Sequence, residues 1–249
     1  VVALTGQILH AIDPDKIRNL FQNNAILLDG EAAMTLLDLG LGDLAAMQAA
    51  GWRQAEEGCL AYEQAAEGQI YCSLPGARIS AQSNVGDFLS IDYAEKVERI
   101  STVFDAYGQE TGPGLTVIND RVLVLPYGRF AGNGIFGHLN PIRQEMIQAM
   151  LQRLAPAGNR PACVTGEPFI QVHDFQTEDG RFLMLVNSSH DAVEKLRLVL
   201  PESMQSSRFE RLDRTSCQFA PIHVQQKDGA AVLDTNLAAL ETAVFAIKN

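Results

Sequence analysis

Cations, aromatics and paired cysteines are all scarce in this chain of 249 residues. Lys and Arg number 19 against 30 Asp and Glu, a formal charge of −11. Such a surface lacks the basic footprint that nucleic acid or an anionic membrane requires. The deficit is lopsided: residues 1–125 hold 17 acids and 7 bases, net −10, and residues 126–249 hold 13 and 12, net −1. The four cysteines, Cys59, Cys72, Cys163 and Cys217, form no CxxC pair. That fits free thiols in a reducing compartment better than a disulfide framework, so the expected location is cytoplasmic. No run approaches the roughly 18 apolar residues of a membrane span, and no charged start with an apolar stretch behind it marks a signal peptide. One Trp and 7% aromatics argue against a dedicated sugar-binding surface, which offers exposed flat rings to its ligand. Tyr62, Tyr71, Tyr93, Tyr107 and Tyr127 are the residues left to supply one, and most sit in strand-like runs where packing explains them.

With 47% hydrophobic and 20% charged residues, the chain buries a real core, and composition excludes disorder. Its length suits one large domain or two smaller ones. Val1-Val2-Ala3-Leu4 starts without an initiator Met and reads as a strand under way, so the expectation is a piece excised from a longer polypeptide. Asp13-Pro14-Asp15 is a helix start, with Asp as N-cap and Pro at the first helical position, and Ile17, Leu20 and Phe21 share one face. Ala25-Ile26-Leu27-Leu28 is the next strand. Asp29-Gly30-Glu31 turns it into a second helix, 32–38, which Gly40 ends in a left-handed cap. Strand, helix, strand, helix predicts a parallel sheet.

From 58 to 127 the period changes to two, with strands expected at 77–82, 88–93, 97–107, 115–118 and 122–125, the last two joined by Asn119-Asp120. Asn140-Pro141 caps a helix whose Ile142, Met146, Ile147, Met150, Leu151 and Leu154 form an apolar stripe. Residues 156–161 read as a linker. Beyond it, strands at 169–175, 182–186, 196–200, 222–226, 230–234 and 242–247 predict an antiparallel β-sandwich.

Gly132-Asn133-Gly134-Ile135-Phe136-Gly137 matches the G-x-G-x-x-G fingerprint of dinucleotide sites. Its first glycine lies too far from the preceding strand, its helix cap comes too late and no acid follows for the ribose, so a glycine-rich surface loop explains it better. Gly40-Leu41-Gly42 follows a helix, which is the wrong order. Asp29 and Glu31 flank Gly30 at the end of a parallel strand, the edge where open α/β sheets hold ligands. Two carboxylates there can share acid and base roles or hold a hard cation, while capping and the helix dipole give both a structural use. The corner 28–32 carries neither Ser nor Cys, and the chain has no G-x-S-x-G, G-x-C-x-G, HExxH or P-loop lysine motif. His10, His138, His173, His190 and His223 show no metal-ligand spacing. Cys59 and Cys163 lie in apolar surroundings that favour inert thiols.

The runs Ala25-Ile26-Leu27-Leu28-Asp29-Gly30-Glu31-Ala32-Ala33, Leu39-Gly40-Leu41-Gly42-Asp43-Leu44, Arg121-Val122-Leu123-Val124-Leu125-Pro126-Tyr127, Asn140-Pro141-Ile142-Arg143-Gln144 and 237–247 resemble the C-terminal region of bacterial glycoside-hydrolase-like proteins. There a β-galactosidase trimerisation-type domain, similar to class I glutamine amidotransferases, follows a catalytic barrel and precedes a small β domain. The resemblance implies an α/β domain over 1–160, amidotransferase- or flavodoxin-like with a β-rich extension at 58–127, and a β-sandwich over 161–249. The elbow lacks the amidotransferase cysteine, and the 58–127 stretch implies an inserted or rearranged subdomain.

The expected function is a non-catalytic accessory or oligomerisation region of a larger carbohydrate-active enzyme. Its expected partners are further copies of itself and an upstream barrel in the same polypeptide; no catalytic residue, metal or cofactor is assigned. Hydrolysis of a glycoside needs two acids about 5 to 10 Å apart across a cleft, and no such pair stands out in the sequence. Two alternatives stay open: a self-sufficient hydrolase using Asp29 and Glu31 with a divalent cation, and a sugar-binding module.

Overall fold

A computed structural model describes residues 1–54, 60–67, 72, 74–80, 87–128, 141–155, 162–164, 167, 169–178, 180–200, 204, 207–227, 230–233 and 235–248. The chain divides into two units, Val1–Leu154 and Ala155–Asn249.

The first unit opens with strand β1 (Val2–Leu4), a 3₁₀ turn over Ile8–Ala11, helix α1 (Pro14–Asn23), strand β2 (Ile26–Asp29) and helix α2 (Gly30–Asp38). Asp13 caps α1 by accepting the Asp15 N–H at 2.9 Å, Pro14 sets the first helical φ, and Ile17 and Phe21 turn inward. Past α2, Gly40 takes φ +70°, and the Leu41 N–H reaches the Leu36 carbonyl at 2.9 Å. This left-handed stop satisfies a carbonyl that the helix would otherwise leave open.

After a second 3₁₀ turn (Gly42–Ala45) come β3 (Met47–Arg53), β4 (Tyr62–Ala65), β5 (Arg78–Ser80), β6 (Asp87–Tyr93), β7 (Glu98–Arg99), β8 (Ser101–Phe104), β9 (Glu110–Pro113), β10 (Thr116–Ile118), β11 (Val122–Leu125), β12 (Tyr127–Gly128) and helix α3 (Pro141–Leu154). They form three sheets, in the orders β1-β2-β11-β10-β7, β12-β6-β3 and β5-β4-β8-β9. In the first, alternate residues face opposite ways. Ile26, Leu28, Val122 and Val124 join a core with α1 and α2, while Leu123, Leu125 and Val117 join another with Met146, Met150 and Leu154 of α3.

The expected α/β, amidotransferase- or flavodoxin-like class is overturned. Among the described residues the protein is mostly β, with 47% of them in strands, three α-helices and five small sheets. The reason is local: strand–helix alternation stops at Asp38, and β1–β2 and β2–β11 are the parallel pairs among the described strands. A flavodoxin-like sheet needs a crossover helix between successive parallel strands. Here the chain after Asp38 instead pairs mainly antiparallel. In the β10–β11 hairpin, Asn119 and Asp120 take φ +49° and +51°, the mirror-image turn that suits strand twist. The stretch 97–107, expected as one strand, breaks at Ile100: β7 pairs in the first sheet and β8 in the third.

The second unit contains β13 (Cys163–Val164), β14 (Ile170–Thr177), β15 (Gly180–Asn187), β16 (Leu196–Val199), β17 (Arg208–Asp213), β18 (Gln218–Pro221), β19 (Val224–Lys227), β20 (Ala230–Leu233) and β21 (Thr242–Lys248). Two antiparallel sheets, β13-β16-β20-β19 and β14-β15-β21-β17-β18, contribute Leu196, Leu198, Leu233, Leu183, Phe209 and Phe245 to one buried apolar cluster.

Candidate functional site

Asp29 ends β2 and caps α2, and both of its oxygens hold backbone. Oδ1 accepts the Ala32 N–H at 2.8 Å, and Oδ2 accepts the Gly6 N–H at 2.8 Å just beyond β1. Burial raises the carboxyl pKa, the N–H groups of Ala32 and Gly6 oppose the rise, and the charge of Glu31 adds to it; the net shift is upward. The corner is also closed sterically. A Cβ on Gly30 would lie 3.0 Å from Trp52 Cη2 and from the Tyr127 carbonyl oxygen. A Cβ on Gly128 would lie 3.0 Å from the same Trp52 atom and 3.1 Å from Glu31 Cγ. Asp29 therefore ties two strands to a helix, and Glu31 lies beside it against Gly128. Among the described residues no group of three or more His, Cys, Asp or Glu side chains is arranged to hold a metal ion.

A second polar cluster escaped the sequence reading. Glu63 of β4 and Arg143 of α3 are buried, at 0% and 1% exposure, and Arg143 donates to Glu63 Oε2 from Nε at 2.9 Å and from Nη2 at 2.6 Å. Ser101 of β8 donates its hydroxyl to Glu63 Oε1 and accepts the Leu115 N–H at 2.7 Å. The Arg143 guanidinium also sits 4.8 Å from the centroid of the buried Tyr127 ring. Burial alone would lower the Arg143 pKa, but the adjacent Glu63 carboxylate outweighs it and holds the guanidinium charged. Buried together, the three side chains cross-link β4, β8 and α3. Glu63 lies 38 residues from Ser101 and 80 from Arg143, so no local spacing announces them.

The remaining candidates take structural places. A Cβ on Gly42 would meet Leu37 Cδ2 at 2.6 Å and the Met47 carbonyl at 2.7 Å, leaving no room for a cofactor. Tyr62 stacks on Phe104 at 5.0 Å beneath Arg78. Tyr93 bonds Thr116 Oγ1 at 2.8 Å, and burial pushes its hydroxyl up to about 12. Tyr107 is exposed. His10, His173, His190 and His223 lie on the surface. Burial raises the Cys163 thiol to about 11, as befits an unreactive sulfur. The 132–137 glycine motif, Cys59, Tyr71, His138, the Asn140 cap and the 156–161 linker lie outside the described residues.

Apart from these, a cleft of about 960 Å³ opens between β6 and β9, lined among others by Ser90, Asp92, Lys96 and Thr111. Its rim carries ion pairs: Arg99 with Glu110 at 2.5 Å, and Glu98 with Arg153 at 2.8 Å.

No family model and no curated protein matches the chain. Among solved structures it is similar to a β-galactosidase from Bacillus circulans sp. alkalophilus, with 12% identity and a TM-score of 0.44, covering 99% of this chain and 32% of that one. It is also similar to Gan42B, a GH42 β-galactosidase from G. stearothermophilus, with 12% identity and a TM-score of 0.40, covering 96% and 30%. A rhamnosidase from Novosphingobium sp. matches 52% of the chain and 11% of its own length, with 18% identity and a TM-score of 0.31. The chain thus spans about a third of the length of the two β-galactosidases.

Proposed function

We propose that the chain is a non-catalytic accessory region of a larger carbohydrate-active enzyme, serving packing and oligomer assembly beside a catalytic barrel of the same polypeptide in the cytoplasm. The observation that carries this reading is the Asp29 corner. At the turn from β2 into α2, which carries neither Ser nor Cys, the side chain is a carboxylate with both oxygens engaged by backbone N–H groups. A carboxylate so engaged is a cap and a strand tie, and its hydrogen-bonding capacity is spent on the fold. The sequence resemblance to β-galactosidase trimerisation-type regions supplies the larger context and the expectation of self-association.

The reading is tested by assaying the chain alone and the full-length parent against chromogenic glycosides, with light scattering on each. Turnover is expected from the parent only, and the chain alone is expected to exceed the mass of one copy. Turnover by the chain alone overturns the non-catalytic assignment, and a monomer at every concentration overturns the assembly role.

A further inference from the structure

A strand at the edge of a sheet leaves a row of backbone N–H and C=O groups open to pairing, and proteins blunt such edges by keeping them short, bulged or interrupted by proline. Of the edge strands among the described residues, β1, β5, β7, β9, β12, β13, β18 and β19 are two to four residues long. β9 and β18 also end on a proline, Pro113 and Pro221. β3 has seven residues, but its register on β6 breaks between Met47 and Ala49. β14 is the exception, with eight residues, no proline or lysine, and an unbroken register on β15. Its one carboxylate, Asp174, is neutralised by Arg181 of β15 at 2.6 Å.

The groups that β14 leaves open follow from its pairing. The Ser188 N–H donates to the Phe169 carbonyl at 2.9 Å, just ahead of Ile170 opposite Asn187. Backbone direction alternates along a strand, so the odd-numbered residues bond to β15, while Val172, Asp174 and Gln176 point their N–H and C=O groups outward. Among the described residues no strand lies on that side. Ile170 and Val172 turn one face of β14 to the apolar cluster of the second unit. The other face carries Gln171, His173 and Phe175, in line with Phe169. Phe175 is 45% and Phe169 38% exposed, large apolar surfaces beside an open edge.

A strand pairs with a copy of itself antiparallel about a two-fold axis. Keeping both faces continuous and bonding the outward groups to one another requires even-numbered positions opposite even-numbered ones. Centring on Asp174 would set two carboxylates face to face, and centring on His173 would set Phe175 against Gln171. Centring on Val172 sets valine on valine, Gln171 on His173, and the two exposed rings, Phe169 and Phe175, on each other. Charge favours a contact in this unit, since residues 126–249 carry net −1 against −10 for residues 1–125. We propose that β14 pairs antiparallel with β14 of a second copy of this chain, about a two-fold axis at Val172. The contact is a strip about 26 Å long and about 10 Å deep, well under the roughly 800 Å² per partner of a standard interface, so the dimer is a weak and reversible one. The proposal rests on the accessory reading for the expectation of self-association, and it assigns the contact to one strand of the second unit.

Sedimentation of the chain over a range of concentrations tests it, together with hydrogen exchange read at single amides. A reversible dimer is expected, with a dissociation constant on the order of 10 μM. The Val172 and Asp174 amides are expected to exchange more slowly as concentration rises. Val172→Pro removes an N–H that the β14–β15 ladder does not use, and is expected to weaken the dimer about tenfold or more. Phe175→Lys, at an exposed side chain, sets a lysine against Phe169 of the other copy and is expected to act likewise, which keeps the test if the proline variant does not fold. Adding Phe169→Glu to Phe175→Lys is expected to restore part of the affinity, because each lysine then meets a glutamate across the axis. Gln218→Lys on the short edge strand β18 is expected to change nothing. A dimer that Val172→Pro and Phe175→Lys leave intact, amides indifferent to concentration, or no recovery with the added glutamate would each overturn the β14 contact and leave the assembly reading standing. A single copy at every concentration overturns both.

Discussion

Arg143 and Glu63 form a two-bond ion pair with both side chains shut away from solvent. Removing one member strands the other's charge in the interior, at a cost of about 3–5 kcal/mol. Glu63→Ala and Arg143→Ala are each expected to lower the urea midpoint strongly. The pair Glu63→Leu with Arg143→Met is expected to recover a large part of the loss, because it strands no charge and leaves the Ser101 hydroxyl with the smaller loss of an acceptor. A double variant no more stable than either alanine variant would contradict this account.

Gly114 is expected to be irreplaceable for the same reason. A Cβ there would overlap Ser101 Oγ and stand 3.0 Å from Glu63 Oε1, displacing the hydroxyl that joins the Leu115 N–H to Glu63. Leaving such buried groups unmatched costs about 1–3 kcal/mol each. Gly114→Ala should therefore lower the thermal midpoint where Gly51→Ala, in open space, does not; equal effects of the two would refute the steric argument.

Asp29→Asn keeps the size of the side chain but turns an NH₂ toward one of the two backbone N–H groups. The loss is expected at about 1–2 kcal/mol, close to that of Asp29→Ala. The pH dependence has a definite sign. Because the folded pKa is raised above 3.8, the native state binds this proton more tightly than the unfolded chain does. The contribution of Asp29 to stability is thus greatest below the unfolded value and falls as pH rises through the folded one. Glu31→Gln removes one upward cause and is expected to lower the Asp29 pKa while leaving it raised, since burial is the larger cause. Carbon-detected NMR titration of the Asp29 carboxyl reads both.

Among the described cysteines, Cys217 is exposed and Cys72 buried, and burial pushes the Cys163 thiol up to about 11. The thiolate is the reactive form, so iodoacetamide near neutral pH should label Cys217 first and Cys163 slowly, as followed by peptide mass spectrometry. Faster labelling of Cys163 would show that its surroundings are wetter than the structure has them.

What the sequence made legible was what local chemistry determines. Asp13-Pro14 and Asp29 cap the helices they announce, Gly40 stops α2, and Asn119-Asp120 turns the β10–β11 hairpin. Strand β3 was not legible, because Met47-Gln48-Ala49-Ala50-Gly51 contains no β-branched residue and its extended form comes from pairing with β6, about 40 residues away. The break at Ile100 was equally hidden. Its residues alternate as one strand would, and only the two different partners, β10 and β4, divide them. The α/β expectation failed at this same level: the strand–helix rhythm of the first forty residues and the resemblance set the class for 1–160, while the strands past Asp38 pair mainly antiparallel.

Trp52 is the chain's single tryptophan, and its Cη2 faces both Gly30 and Gly128 at the turn from β2 into α2. Its fluorescence is consequently an optical reporter of the first unit alone, and the second unit is silent at that wavelength. Melting followed by emission and melting followed by circular dichroism will coincide only if the two units unfold together. Any interval between the two curves measures how independently they stand.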